Sequence, residues 1–243
     1  MFKQIILPLS LLASVAYTHA AVILSTSESN FSTNQGTALN GQPWAGDIST
    51  TDLVHIGQST YSGRSYSVSP TFGSNGVNNG GINVSTSNST YWNDATLNSQ
   101  PTVTFDLDVS TNTQGYDITA VDVFQGWNMN SAMHANQNYT ISVSTVGSAV
   151  YTPLITVNYN PFGTANDSHH YSHTQVTEDS SGIIASGVDS IRIQFLDPVA
   201  SGGNSPGIVV NEIDVQGVAT VPEPSSAALL GLAGLGALLR RRR

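Results

Sequence analysis

The run TVTFDLDV, residues 102–109, alternates apolar and polar side chains without a break. Val103, Phe105, Leu107 and Val109 fall on one face; Thr104, Asp106 and Asp108 fall on the other. A period of two is the signature of a strand with one face in a core and one in water, because successive strand side chains point to opposite sides. A helical period of 3.6 would scatter these residues around an axis. The same alternation recurs at Tyr139, Ile141 and Val143, at Ile155, Val157 and Tyr159, at Ile191, Ile193 and Phe195, and at Ile213 and Val215. In the last run Glu212 and Asp214 are expected on a solvent face.

Between these runs lie stretches rich in Asn, Gly, Ser and Pro, such as 158–167 and 198–206. They carry turn chemistry and cannot continue a strand. Many short strands at this spacing, with no helical period in the body, predict an all-β fold, a jelly-roll β-sandwich. Upstream, ILSTSE and DLVHIGQST are candidate strands, and TFGSNGVNNGGINVST is a glycine- and asparagine-rich loop leading into a short strand. HHYSH (His169, His170 and His173) is expected in a loop before the strand TQVTED.

Composition supports an exported β protein. Only 9% of the 243 residues are charged, and there is no cysteine for a disulfide, a thiolate metal site or a cysteine nucleophile. Between Ala21 and Thr220, fifteen carboxylates against Arg64 and Arg192 leave a net charge of −13. Such a body does not bind nucleic acid through phosphate neutralisation, but it suits divalent cations.

Both ends of the chain differ from the body. Residues 1–20 have the layout of a signal peptide: Lys3, an apolar stretch from Ile5 to Ala16, then small residues before a cleavage point between Ala20 and Ala21. At the other end Pro222, Glu223 and Pro224 precede fifteen uncharged residues, 225–239, and then Arg240, Arg241, Arg242 and Arg243. As a helix those fifteen residues span about 22 Å, short of about 30 Å of bilayer hydrocarbon. The arginines belong on the cytoplasmic side, which puts the body outside. This divides the chain into a signal peptide (1–20), a sandwich (21–218), a linker with the Pro-Glu-Pro motif (219–226) and a short apolar transmembrane helix with its arginine cluster (227–243).

This three-part tail resembles the PEP-CTERM sorting signal of Gram-negative bacteria. The resemblance implies an exosortase partner, which processes the protein near the Pro-Glu-Pro motif. The inner membrane then holds the precursor only transiently, and the product goes to the cell surface or extracellular matrix. A plain C-terminal anchor is the other reading of the same segment.

From Pro101 to Gly217 the body is similar to discoidin-like, galactose-binding-type sandwiches, through TVTFDLDV, YDITAVDVFQGW, NYTISVSTVGSAVYTPL, GVDSIRIQFLDP and VVNEIDVQG. That family often carries one structural calcium. By resemblance Asp94, in YWNDAT, and Glu212 are its ligands here. A plainer reading makes Asp94 a turn cap and Glu212 a solvent-facing residue.

The segment QGWNMNSAMHANQN is expected to be a long loop between strands. An indole can stack on a sugar's apolar face while amides bond its hydroxyls. Trp127, Asn128, Asn130, His134 and Asn136 are therefore the candidate ligand-binding residues. Alternatively Trp127 closes the end of the core. Related sequences often place an arginine in this loop, and none is present here.

No His-Glu-x-x-His or phosphate-binding glycine loop occurs. Three functions remain: a non-catalytic envelope or matrix protein, a lectin-like module recognising exopolysaccharide, and a glycoside hydrolase or lyase. The first is expected, with no catalytic residues.

Overall fold

The computed structural model describes residues 22–30, 47–55, 59–62, 90–93, 101–130, 132–163, 168–196 and 207–221. Among the described residues ten strands follow one another: β1 (Val22–Asn30), β2 (Ser59–Ser62), β3 (Thr90–Asn93), β4 (Thr102–Leu107), β5 (Tyr116–Asn130), β6 (Gln137–Thr145), β7 (Thr152–Tyr159), β8 (Ser168–Glu178), β9 (Ala185–Phe195) and β10 (Gly207–Ala219). A single 3-10 turn, Ala132–Ala135, separates β5 from β6. Among the described residues no helix is long and apolar enough to cross a membrane.

Every pairing is antiparallel, and the strands form two layers. The first layer runs β1-β8-β5-β10-β3 and the second β7-β6-β9-β4-β2. From β4 onwards the chain crosses repeatedly between layers, as in a jelly roll. The layers join at one corner, where Tyr116 pairs with Val188 and Ile118 with Ala185. On another side the Tyr159 hydroxyl donates to Glu28, linking the edge strands β7 and β1.

Alternation built these layers as expected. In β4 Val103, Phe105 and Leu107 are buried while Asp106 is exposed. They meet Ile191, Ile193 and Phe195 of β9 and Tyr139, Ile141 and Val143 of β6 in one continuous core. The other layer supplies Val121, Val123, Val176, Ile213 and Val215 to the same core. Each such side chain contributes about 1.5–3 kcal/mol on leaving water. Tyr139 packs edge-on against Phe195, with ring centroids 5.9 Å apart.

The structure departs from sequence expectation in four places. Glu212 and Asp214 are fully buried, so both faces of β10 lie inside the protein. The HHYSH segment lies within β8, not in a loop. Trp127, Asn128 and Asn130 belong to the end of β5, with Trp127 in register with His170. Asp52–His55 forms a turn in place of the candidate strand, because Asp52 Oδ1 accepts the Val54 amide at 2.9 Å. Ala219 ends β10, and the next residue, Thr220, donates its amide to Gly115 O.

Candidate functional site

Strand direction sorts the molecule into two ends. At one end lie the end of β5, the turn at 132–136, the turn at 161–163, and the starts of β8 and β10. We call this the loop end. The opposite end holds the start of β1, the β4–β5, β6–β7 and β8–β9 turns and the end of β10. β10 alone spans about 40 Å between them at about 3.3 Å per residue.

The loop end gathers the predicted ligand residues. His134 and Asn136 are buried there, 6% and 2% exposed. Asn136 is a structural brace: its Nδ2 donates to Gly163 O at 2.7 Å and its Oδ1 accepts the Phe162 amide at 3.2 Å. Phe162 in turn packs on His170, with ring centroids 4.5 Å apart. Trp127, Asn128 and Asn130 enter this end along the β5 backbone. Asp94 and the terminal residues Ala20, Ala21, Pro222, Glu223, Pro224 and Arg240–Arg243 lie outside the described residues.

Beneath the loop end a polar chain runs into the core. Tyr139 shares a hydrogen bond with Thr174 at 2.5 Å, and Thr174 Oγ1 donates to Gln137 Oε1 at 2.6 Å. Gln137 Nε2 donates to Ser172 Oγ at 2.9 Å and to Val123 O at 3.1 Å, and Ser172 Oγ donates to Ala135 O. Burial pushes the Tyr139 hydroxyl far above its ordinary value, so it stays a neutral donor. Gln125, fully buried beside this chain, has neither amide atom hydrogen-bonded among the described residues. Asn211 donates to Gly126 O at 3.0 Å, while its Oδ1 has no partner among them. Sequence pattern hid these groups, because Gln125 and Gln137 sit in runs whose polar members look solvent-facing.

The second unusual region is the outer face of the first layer. His173 Nε2 lies 2.7 Å from Asp122 Oδ1, which also accepts Gln175 Nε2 at 3.0 Å. Phe124 stacks on the imidazole at 4.2 Å and 9°. His170 and His173 are three residues apart on one strand and therefore project to opposite faces, so the histidine run cannot close around one metal. Glu212 is opposite Phe124, and Asp214 is opposite Asp122.

Residues 49–53 lie along β10. The Ser49 amide donates to Asp214 Oδ2 at 2.7 Å, and the Leu53 amide donates to Val215 O at 2.8 Å. Burial pushes Asp214 up to about 8, helped by the nearby Asp52 and Asp122 carboxylates and opposed by the Ser49 bond. Asp52 is also raised, again by burial. Among the described residues no three His, Asp or Glu side chains converge as a metal-binding group. Glu212 is a buried carboxylate of the type calcium takes, and it lies five residues, about 16 Å, along β10 from Gly207, the partner of Asn93 at the end of β3.

At the opposite end the chain leaves the body through a clasp. Thr220 N donates to Gly115 O at 2.9 Å, Thr220 Oγ1 donates to Asp117 Oδ1 at 2.6 Å, and Gly187 N donates to Thr220 Oγ1 at 3.2 Å. Gly115 has φ +80°, and a Cβ there would fall 2.6 Å from the Gly187 carbonyl carbon, so only glycine fits this close approach. Residues 220–243 match the PEP-CTERM protein-sorting motif. The chain carries a PEP-CTERM sorting signal. That signal marks an exosortase substrate, exported and held at the membrane as a precursor.

No curated protein matches the chain. Among solved structures it is similar to a CBM32 module of Clostridium perfringens determined in complex with GalNAc-β-1,3-galactose, at 12% identity and TM-score 0.38, over 65% of this chain and 93% of that one. It is also similar to CBM32 domains of Clostridium perfringens ZmpB determined with GalNAc, at 12% identity and TM-score 0.39, over 79% and 39% of the two chains. An F5/8 type C domain from Bacteroides fragilis is similar at 11% identity and TM-score 0.30, over 82% and 96%.

Proposed function

We propose that this PEP-CTERM protein is a non-catalytic component of the cell surface or extracellular matrix of a Gram-negative bacterium, delivered there by exosortase processing of its tail. One observation carries the reading: the sorting motif begins at Thr220, where β10 ends, at the end of the sandwich opposite the loops. An inserted tail therefore holds the loop end about 40 Å out from the tail root, facing the matrix. The mature amino terminus, near Val22, lies at the tail-root end and leaves the loops unobstructed. Intact mass of the protein recovered from its native envelope tests this: the expected product starts at Ala21 and lacks Arg240–Arg243.

A second reading has its own support. The loop end combines Trp127, Asn128 and Asn130 with buried amides at Gln125 and Asn211 that lack some partners among the described residues. Amides and an indole suit a saccharide, so this end is a lectin-like surface for exopolysaccharide. One structural calcium held by Asp94 and Glu212 belongs to the same reading. Glycan-array binding without turnover, lost in Trp127→Ala, supports it; sugar release abolished by one carboxylate change points to a hydrolase or lyase.

A further inference from the structure

The exposed large apolar side chains among the described residues are Ile23, Val146, Val150, Val218 and Val221, at 41%, 42%, 71%, 60% and 78% exposure. Single exposed apolar residues are ordinary, but these share one end of the sandwich, the tail root. Val146 N donates to Gly187 O at 2.9 Å, and Gly187 donates in turn to Thr220. Val218 pairs with Asp117, which accepts the Thr220 hydroxyl. Val146, Val218 and Val221 thus ring the clasp. Ile23 pairs with Thr177, next to the turn that Glu178 caps by accepting hydrogen bonds from Ser180, Ser181 and Gly182.

Chain length decides what meets this rim. The clasp holds Thr220, so Pro222 lies two residues from the body, within about 7 Å, and Pro224 within about 14 Å. Even a 100-residue domain has a radius of gyration of about 13 Å. A protein that grips Pro222–Pro224 must therefore press against the tail-root end. The same end carries Asp117, Glu178, Asp179 and Asp189, which repel an anionic lipid surface and favour a protein with basic side chains around an apolar contact.

We propose that the Val146–Val218–Val221 rim is a docking surface for the membrane-embedded processing enzyme, which reads the folded tail root together with the Pro-Glu-Pro motif. This rests on the exosortase reading above. The short tether makes the contact effectively intramolecular, so a small apolar surface suffices.

The test follows conversion of full-length precursor to shorter product by pulse labelling in cells with the exosortase. Val146→Ser combined with Val218→Ser should slow conversion about tenfold, the effect of about 1.4 kcal/mol of lost contact. The melting temperature should stay unchanged, since both side chains are exposed. A ten-residue Gly/Ser insertion between Val221 and Pro222 should slow conversion too, and the valine changes should then add little. If the double variant is converted at the wild-type rate while Glu223→Ala is blocked, the tail alone is read and the docking surface is overturned, with the sorting reading intact. If Glu223→Ala is converted normally, the sorting reading fails and takes this one with it. If the valine changes weaken membrane retention of the precursor equally in cells lacking the enzyme, the rim meets lipid and the enzyme contact is overturned.

Discussion

His173 Nε2 meets Asp122 Oδ1 at 2.7 Å on the outer face of a sheet, yet both residues are more than nine-tenths buried. The imidazole is stacked on Phe124 and the carboxylate also holds Gln175. Removing one partner of a buried pair leaves the other desolvated and unsatisfied.

Asp122→Ala should therefore cost about 3 kcal/mol of stability in urea unfolding. His173→Ala should cost a similar amount, and the double variant less than the sum, because each single change already breaks the pair. Strict additivity would show that the two residues do not depend on one another.

Asp214 makes stability depend on pH. Its folded value, about 8, lies above the unfolded value of 3.8, so between those limits the folded state holds a proton that the unfolded state releases. Its stabilising contribution is complete at acid pH and is lost as pH rises towards 8. The melting temperature at pH 5 should exceed that at pH 8.5 by roughly 10 °C, and Asp214→Asn should remove most of the difference. A slope unchanged in Asp214→Asn assigns the effect to other groups.

Gly126 sits where β5 passes under Tyr171. Its φ is +151°, and a Cβ would fall 2.4 Å from Tyr171 Cδ1 and 2.6 Å from His170 O. Gly126→Ala should destabilise the protein by about 3 kcal/mol and disturb the loop end before the tail-root end. Hydrogen exchange on the variant gives the order: faster exchange confined to the tail-root turns would contradict it.

The strands were legible in the sequence wherever one sheet face meets the core and the other meets water. β4 is such a strand, with Phe105 buried and Asp106 exposed. β10 was half legible: Ile213 and Val215 announced the core face, but nothing local showed that residues 49–53 would bury Asp214 on the other side. That burial depends on a contact 165 residues away in the chain, which period-two reasoning does not see. HHYSH was misread because polar residues in a strand look like a loop until their partners, here Asp122 and Phe124, are known. The tail was the reverse case, since its motif is local and its order of parts is specific.

Calcium is tested by chelation. If Asp94 and Glu212 hold an ion, chelator should lower the melting temperature of the purified protein, and excess calcium should restore it through preferential binding to the folded state. Glu212→Gln should abolish the response. A melting curve indifferent to both reagents removes the ion from the description.

The central claim is that the tail is a processed sorting signal, and the C-terminal mass of the protein measures it most directly. In cells with the exosortase the mature protein should end near Pro222–Pro224 and lack Arg240–Arg243, while Glu223→Ala, which alters neither apolar length nor the arginine cluster, should accumulate as uncleaved precursor in the inner membrane. In cells without the enzyme the wild-type chain should keep its arginines. If the wild-type protein keeps Arg240–Arg243 in both backgrounds and Glu223→Ala changes nothing, the tail is an anchor and the sorting claim is contradicted.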